Sequence, residues 1–350
     1  MISDIYNNNY DSKEFIYYVI NNFITGKSNI NYLYPNKNDR NCLSKIINRN
    51  GIAPIFLYTI NSSQIPKDLF QSWKVFSIQT LVQYLRALKA TASLFRILEN
   101  ENIPSVALRG IALAEWVYPE PNLRPMKDVD ILIPSNYRDK LFDSLKKYNL
   151  FPLKKLRSQF VYIIDGIVFE IHYSYLTPKR YKYSANFNRW IYSRTPVLTT
   201  EGVIYRLKLE DALLDTILHV FIHHELDRFL QIIDIALLLN KKGLDWNYIF
   251  NWCKEASLLK IVLFTISYVC YSFELELDSK ISQFKQNESI FKSYASQLFY
   301  EDSIRNYLNR KKNLLLITDK NSLLVKQVLR FISIDEVRNI LKYLTDYIGK

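Results

Sequence analysis

The sequence predicts an α+β fold in which a small mixed β-sheet core is flanked by N-terminal and C-terminal helical regions. Three observations carry that prediction. Apolar residues recur at helical spacing before about residue 100 and after about residue 200. Between those limits the period shortens toward that of strands. There, Asp165-Gly166 separates two alternating apolar runs, among the best short-range hairpin signals.

In chain order, Phe15 to Ile24 and Leu81 to Leu98 carry helical periodicity. Gly51 to Tyr58 has a glycine start and a proline, and Asn61 to Pro66 reads as a loop. Ile103 to Leu108 is a short strand stopped by Arg109-Gly110, and Ile111 to Tyr118 a helix. After the Pro119-Glu120-Pro121 loop comes a β-prone run, Asp128-Val129-Asp130-Ile131-Leu132-Ile133. Tyr137 to Leu150 is helical, and the hairpin of Gln159–Ile164 and Ile167–Tyr173 closes a β-α-β-α-β-β unit. Past Glu201 the pattern reads as helical: Leu209 to Asn240 with a break near Asp227, Trp246 to Phe273, and the lysine-rich 303–350. The chain thus divides into 1–100 (helical), 101–200 (α/β core) and 201–350 (helical).

Composition excludes several classes. Only 7 glycines occur among 350 residues, and neither GxGxxG nor GxxxxGK[ST] is present, which argues against glycine-rich dinucleotide or P-loop sites. Cys42, Cys253 and Cys270 are sparse and form no CxxC pair, as expected of buried thiols in a reducing compartment. The longest uncharged apolar stretch, Ile261 to Phe273, is too short to span a bilayer, and the N-terminus lacks a signal-peptide pattern. A soluble, cytoplasmic protein is expected. The net charge of +12 suits an anionic partner, but the basic residues are scattered, and Lys, Asn, Ile and Tyr are all frequent as in chains from AT-rich genomes, a bias that by itself raises the pI.

The chemistry concentrates in the core. Side chains two apart in a strand leave from one face, so Asp128 and Asp130 point together while Val129, Ile131 and Ile133 pack behind them. On the second hairpin strand, Val168, Glu170 and His172 share a face. If that strand pairs beside the first, three carboxylates converge, as hard divalent ions and phosphate oxygens require. An isolated Asp-x-Asp is otherwise an ordinary solvated strand end. All four histidines fall between 172 and 224, with His219 and His223 one helical turn apart. Three readings of that pair stay open: a packed helix face, a zinc site completed by a nearby carboxylate, or contacts to phosphate or base.

The order Leu108-Arg109-Gly110-Ile111-Ala112-Leu113, then Arg124-x-x-x-Asp128-Val129-Asp130, then Glu170-Ile171-His172, resembles the DNA polymerase β-like nucleotidyltransferase superfamily. More closely it is similar to the branch called uncharacterised nucleotidyltransferases, with the likeness running on through His219, His223, Arg228, Asp234 and Trp246. Arg109 stands where that branch has Lys, Gly110-Ile111 where the wider superfamily has Gly-Ser, and Glu170 where Asp is usual. The resemblance implies transfer of an NMP from an NTP to a hydroxyl acceptor with release of pyrophosphate. Asp128, Asp130 and Glu170 would hold two Mg²⁺ (or Mn²⁺) ions and carry the catalysis. Arg109, Gly110, Ile111, Arg124, His172, His219 and His223 would bind the nucleotide. The acceptor would be a small molecule, peptide or protein hydroxyl rather than tRNA. The alternatives are a catalytically weak, nucleotide-sensing homologue, for which Glu170 leaves room, and an RNA-directed enzyme.

Overall fold

The computed structural model describes residues 12–31, 40–175, 187–224, 229–256 and 258–276. The lysine-rich 303–350 and Arg228 lie outside the described residues.

Four helices open the described chain: α1 (Ser12–Ile24), α2 (Arg40–Asn50), α3 (Ala53–Thr59) and the 34-residue α4 (Lys67–Asn100). The α4 helix ends where Asn102 takes φ 51° and Ile103 donates its N–H back to Leu98 O at 2.8 Å. This is a left-handed stop made with asparagine instead of glycine. The core follows as β1 (Val106–Leu108), α5 (Arg109–Trp116), β2 (Asp128–Leu132), α6 (Arg138–Lys147), β3 (Lys154–Lys155), β4 (Gln159–Ile164) and β5 (Ile167–His172). The β4–β5 turn has Asp165 at φ 51° and Gly166 at φ 76°, the pair of positive φ values that a type I′ hairpin needs. A Cβ on Gly166 would stand 2.7 Å from Arg86 Nη2, so any other residue would also have to displace the end of that arginine.

Among the described residues the sheet has seven strands in the order β3-β4-β5-β2-β1-β7-β6. The last pair is β6 (Thr195–Thr199), in a stretch to which the sequence pattern assigns no element, and β7 (Gly202–Arg206), where the pattern reads as helical. Pro196 sits in this edge strand, and Leu198 is 84% exposed. An outward-facing leucine and an edge proline blur the alternation that marks a half-buried strand. The helices α7 (Asn188–Tyr192), α8 (Leu209–His224), α9 (Phe229–Leu239), α10 (Trp246–Ala256) and α11 (Leu259–Ser272) complete the described chain. Among the described residues no helix is long and apolar enough to cross a membrane.

The sheet is covered on both faces. Val129, Ile131, Phe169 and Ile171 pack under the C-terminal half of α4 and under Leu141 and Leu145 of α6. On the other face Val106, Leu108 and Leu132 join a second core built from α1–α3, the start of α4, and α8–α11. Each such fully buried aliphatic or aromatic side chain contributes roughly 1.5–3 kcal/mol. The N- and C-terminal helices therefore share one core, and α8 is pressed against the face that carries the Asp-x-Asp pair.

Asp211, in the first turn of α8, is fully buried; Tyr248 of α10 donates to its Oδ1 at 2.6 Å and Ser193 to its Oδ2 at 3.3 Å. Burial pushes its carboxyl up to about 6, against the pull of those hydrogen bonds. A raised carboxylate binds its proton more tightly folded than unfolded, so its contribution to stability declines as pH rises from the ordinary 3.8 through about 6. Asp211→Asn should remove that decline. In urea unfolding at a series of pH values, the variant should gain about 1–3 kcal/mol on the wild type between pH 4 and 7. A constant difference across that range would refute the assignment.

Candidate active site

The β2 and β5 strands pair in parallel with Asp128 opposite Val168, Asp130 opposite Glu170 and Leu132 opposite His172. Side-chain alternation then sends Asp128, Asp130, Glu170 and His172 out of the same face, while the residues between them are buried. His172 Nε2 lies 2.9 Å from Asp130 Oδ1 and 4.0 Å from Glu170 Oε2. Gln159, opposite His172 on β4, donates to Glu170 Oε2 at 2.6 Å. Asp130, Glu170 and His172 each offer one ligand atom, all within 4.8 Å of one another. Asp128 stands outside that trio, at the more exposed start of the strand.

The turn from β1 into α5 supplies the cation. Arg109 has φ 37° and Gly110 φ 21° with ψ −109°, so the helix proper begins only after them. Such a backbone is strained for any residue with a side chain. It turns Arg109 inward, where the side chain is buried. Its Nη2 donates to Asp130 Oδ2 at 3.0 Å, and its Nη1 donates to Asp215 Oδ1 of α8. Tyr175 also donates to Asp215 Oδ1, and Asp215 Oδ2 is buried without a hydrogen-bond partner.

These surroundings split the carboxylates. Burial alone would raise Asp130, but Arg109 and the hydrogen bond to His172 hold it well below the usual carboxylate range. Asp128 is raised by burial and then by the like charges of Asp130 and Glu170. Asp215 is raised by burial in spite of Arg109 and Tyr175. Arg109 is shared between Asp130 and Asp215 and Arg124 is paired with Asp234, so Asp128 and Glu170 beside Asp130 leave an excess of negative charge that favours added cations.

Arg124, expected at phosphate, is buried and committed elsewhere. Its Nε and Nη2 donate to Asp234 Oδ1 and Oδ2 of α9 at 2.9 and 2.7 Å, and Tyr118 donates to the same carboxylate at 2.7 Å. Its remaining nitrogen, Nη1, lies 3.9 Å from where a Cβ on Gly110 would stand, and Asp128 O lies 3.8 Å away. Arg124 therefore backs the Gly110 turn while tying it to the C-terminal helices. Ile111, just beyond the turn, is a fully buried core residue, so only its backbone can face a ligand.

His219 and His223 sit on α8 with ring centroids 5.2 Å apart, and His219 Nε2 is 3.0 Å from His224 Nε2. Desolvation, then Arg109, lowers both imidazoles, the half-buried His219 far more than the solvent-exposed His223, so both are neutral near pH 7. Among the described residues the α8 histidines do not join any three-ligand group. Glu225, a carboxylate that could complete a zinc site, is outside the described residues.

The partners that sequence reading does not assign are Gln159, Tyr175, Asp215, Tyr118 and Asp234. One signal was available for Asp215. Asp211, Asp215 and His219 recur every four residues on a largely apolar helix, a stripe that must face polar partners.

Residues 36–273 match the family model described as uncharacterised nucleotidyltransferase. No curated protein matches the chain. Among solved structures, it is similar to an antigenic nucleotidyltransferase-like protein from Paracoccidioides brasiliensis at 15% identity, covering 57% of this chain and 95% of that one, with TM-score 0.39. It is also similar to the antibiotic-resistance factor ANT(2'')-Ia at 13% identity, covering 55% and 97%, with TM-score 0.35. A structure of ANT(2'')-Ia with adenylyl-2''-tobramycin gives 12% identity, coverage of 53% and 96%, and TM-score 0.33.

The two buried arginine pairs and the strained turn set an order of stabilities. Asp234→Ala strands the buried Arg124 charge and should cost about 3–5 kcal/mol in urea unfolding. Asp128→Asn relieves repulsion at a partly exposed strand start and should change stability by less than about 1 kcal/mol. Equal costs for the two would contradict these environments.

Proposed function

The chain belongs to the uncharacterised nucleotidyltransferase family, and on that premise we propose that it is a metal-dependent enzyme moving an NMP from an NTP to a hydroxyl acceptor. The observation that carries this reading is the in-register pairing of Asp130 with Glu170, with Asp128 on the same face and too little positive charge to neutralise them. An all-oxygen carboxylate set with a net negative field fits divalent cations such as Mg²⁺ or Mn²⁺. Asp128, Asp130 and Glu170 would hold them. Two such ions, when bound, supply electrostatic stabilisation of the displaced phosphoryl group and lower the pKa of the attacking hydroxyl.

The chain's own side chains divide the remaining work. The acceptor oxygen forms a bond to the α-phosphorus as the bond to the β-phosphate oxygen breaks, and pyrophosphate departs. Glu170, oriented by Gln159, accepts the proton of the acceptor hydroxyl. Arg109 is fixed by Asp215 and faces Asp130, where it offsets charge that develops on the phosphoryl group. The glycine at 110 lets the backbone come close to phosphate without a Cβ in the way. His219 and His223, neutral on α8, offer hydrogen bonds to phosphate or base without adding charge. The acceptor would be the hydroxyl of a small molecule, peptide or protein.

Incubation with each labelled NTP and Mg²⁺ or Mn²⁺ tests the reading through pyrophosphate release, self-labelling and labelling of acceptors in extract. Asp130→Asn and Glu170→Gln should each lower transfer on the order of 10³-fold while the far-ultraviolet spectrum is unchanged. His223→Ala should raise the KM for NTP more than it lowers kcat. Wild-type transfer by Asp128→Ala would show the mechanism to be wrong.

A further inference from the structure

We propose that His172 is itself a metal ligand, so that one of the two cations is a first-row transition ion bound by Asp130, Glu170 and His172. This deepens the nucleotidyltransferase reading and rests on it. The parallel register of β2 and β5 places His172 two residues beyond Glu170 on the same face. Its Nε2 is the ring atom aimed at the carboxylates, 2.9 Å from Asp130 Oδ1 and 4.0 Å from Glu170 Oε2. An ion with ligand distances near 2.1 Å separates adjacent octahedral ligands by about 3 Å and opposite ones by about 4.2 Å. The two separations from Nε2 are close to those values, and all three ligand atoms lie within 4.8 Å of one another.

The hydrogen-bond balance points the same way. Nε2 is within hydrogen-bond distance of Asp130 Oδ1 only, while Glu170 Oε2, held by Gln159 at 2.6 Å, faces the same nitrogen from 4.0 Å, so one ion between the three would meet both carboxylates and the ring. Asp130 meets this nitrogen through Oδ1 alone, because Arg109 holds Oδ2 at 3.0 Å. The carboxylate is thereby set to give one oxygen to a metal while keeping its salt bridge. The nitrogen selects the class of ion. Mg²⁺ takes oxygen ligands and dehydrates reluctantly, whereas an imidazole favours the first-row transition series. Asp128, outside the trio, is left for a second, all-oxygen ion shared with the NTP phosphates. The two cations are consequently unlike.

Mn²⁺ serves as probe and reporter, because pulsed electron paramagnetic resonance detects a directly bound ¹⁴N. The full chain without nucleotide should bind one Mn²⁺ and display imidazole nitrogen modulation. Mn²⁺ should be preferred over Mg²⁺ by at least about tenfold. His172→Ala should abolish the modulation and cut the Mn²⁺ preference about tenfold, leaving Mg²⁺ affinity nearly unchanged; His219→Ala should retain the modulation. If Mn²⁺ binds to the wild type without nitrogen modulation, or if His172→Ala weakens both ions by the same factor, His172 only orients Asp130 and the proposal fails. In that case the nucleotidyltransferase reading stands. If neither ion binds, alone or with a non-hydrolysable NTP, both fail together.

Discussion

Arg109 is the contact on which the rest of the site depends. It leaves the β1–α5 turn, passes into the protein, and divides its guanidinium between Asp130 on the central strand and Asp215 on α8. Removing a guanidinium from water is costly, and a buried ion pair does not by itself stabilise a fold. What the pair does supply is placement. It joins the sheet to a helix 106 residues away, and it does so at the carboxylate whose other oxygen would meet a metal. The strained φ values at Arg109 and Gly110 are the local cost of turning that side chain inward.

A second buried arginine repeats the arrangement one layer back. Arg124 grips Asp234 with two parallel hydrogen bonds, a fork geometry that lysine could not supply. Between them, the two pairs fasten the Gly110 turn and the approach to β2 onto α8 and α9. The C-terminal helices are thus part of the site's construction, not a cover laid over it. The same environment sorts the carboxylates: Asp130 is kept ionised by Arg109, while Asp128 and Asp215 are pushed upward by burial and like charge. Neighbouring groups of one chemical type thereby acquire different charge behaviour, which is how a site assigns different tasks to similar residues.

What was legible in the sequence was whatever is local. The strand of Asp128 and Asp130, the Asp165-Gly166 turn and the alternation of β5 depend on residues within a few positions of one another, and each formed as its pattern implies. The β6–β7 hairpin was hidden because an exposed Leu198 and an edge proline break the alternation. Arg124 illustrates the harder limit. Its charge was legible, and its place beside the Asp-x-Asp strand was legible. Its commitment to Asp234, 110 residues on, was not. No local pattern records which buried acid meets which buried base, because that choice is made when the second core closes.

The α8 helix shows how such long-range choices leave a trace after all. Asp211, Asp215 and His219 fall every four residues along a helix whose other faces are apolar, and all three are turned inward. Burying three titratable groups on one stripe is unfavourable unless each finds a partner. Asp211 finds Tyr248, Asp215 finds Arg109 and Tyr175, and His219 finds His224. The apolar faces fix α8 in the helical core, so Asp215 and His219 are held on the side of Arg109 and Asp130 whether or not a ligand is present, while Asp211 turns to α10. A charged floor of strand carboxylates therefore faces a wall whose imidazoles are held neutral. Since Arg109 contributes to lowering both His219 and His223, the cation that anchors the floor also sets the character of the wall.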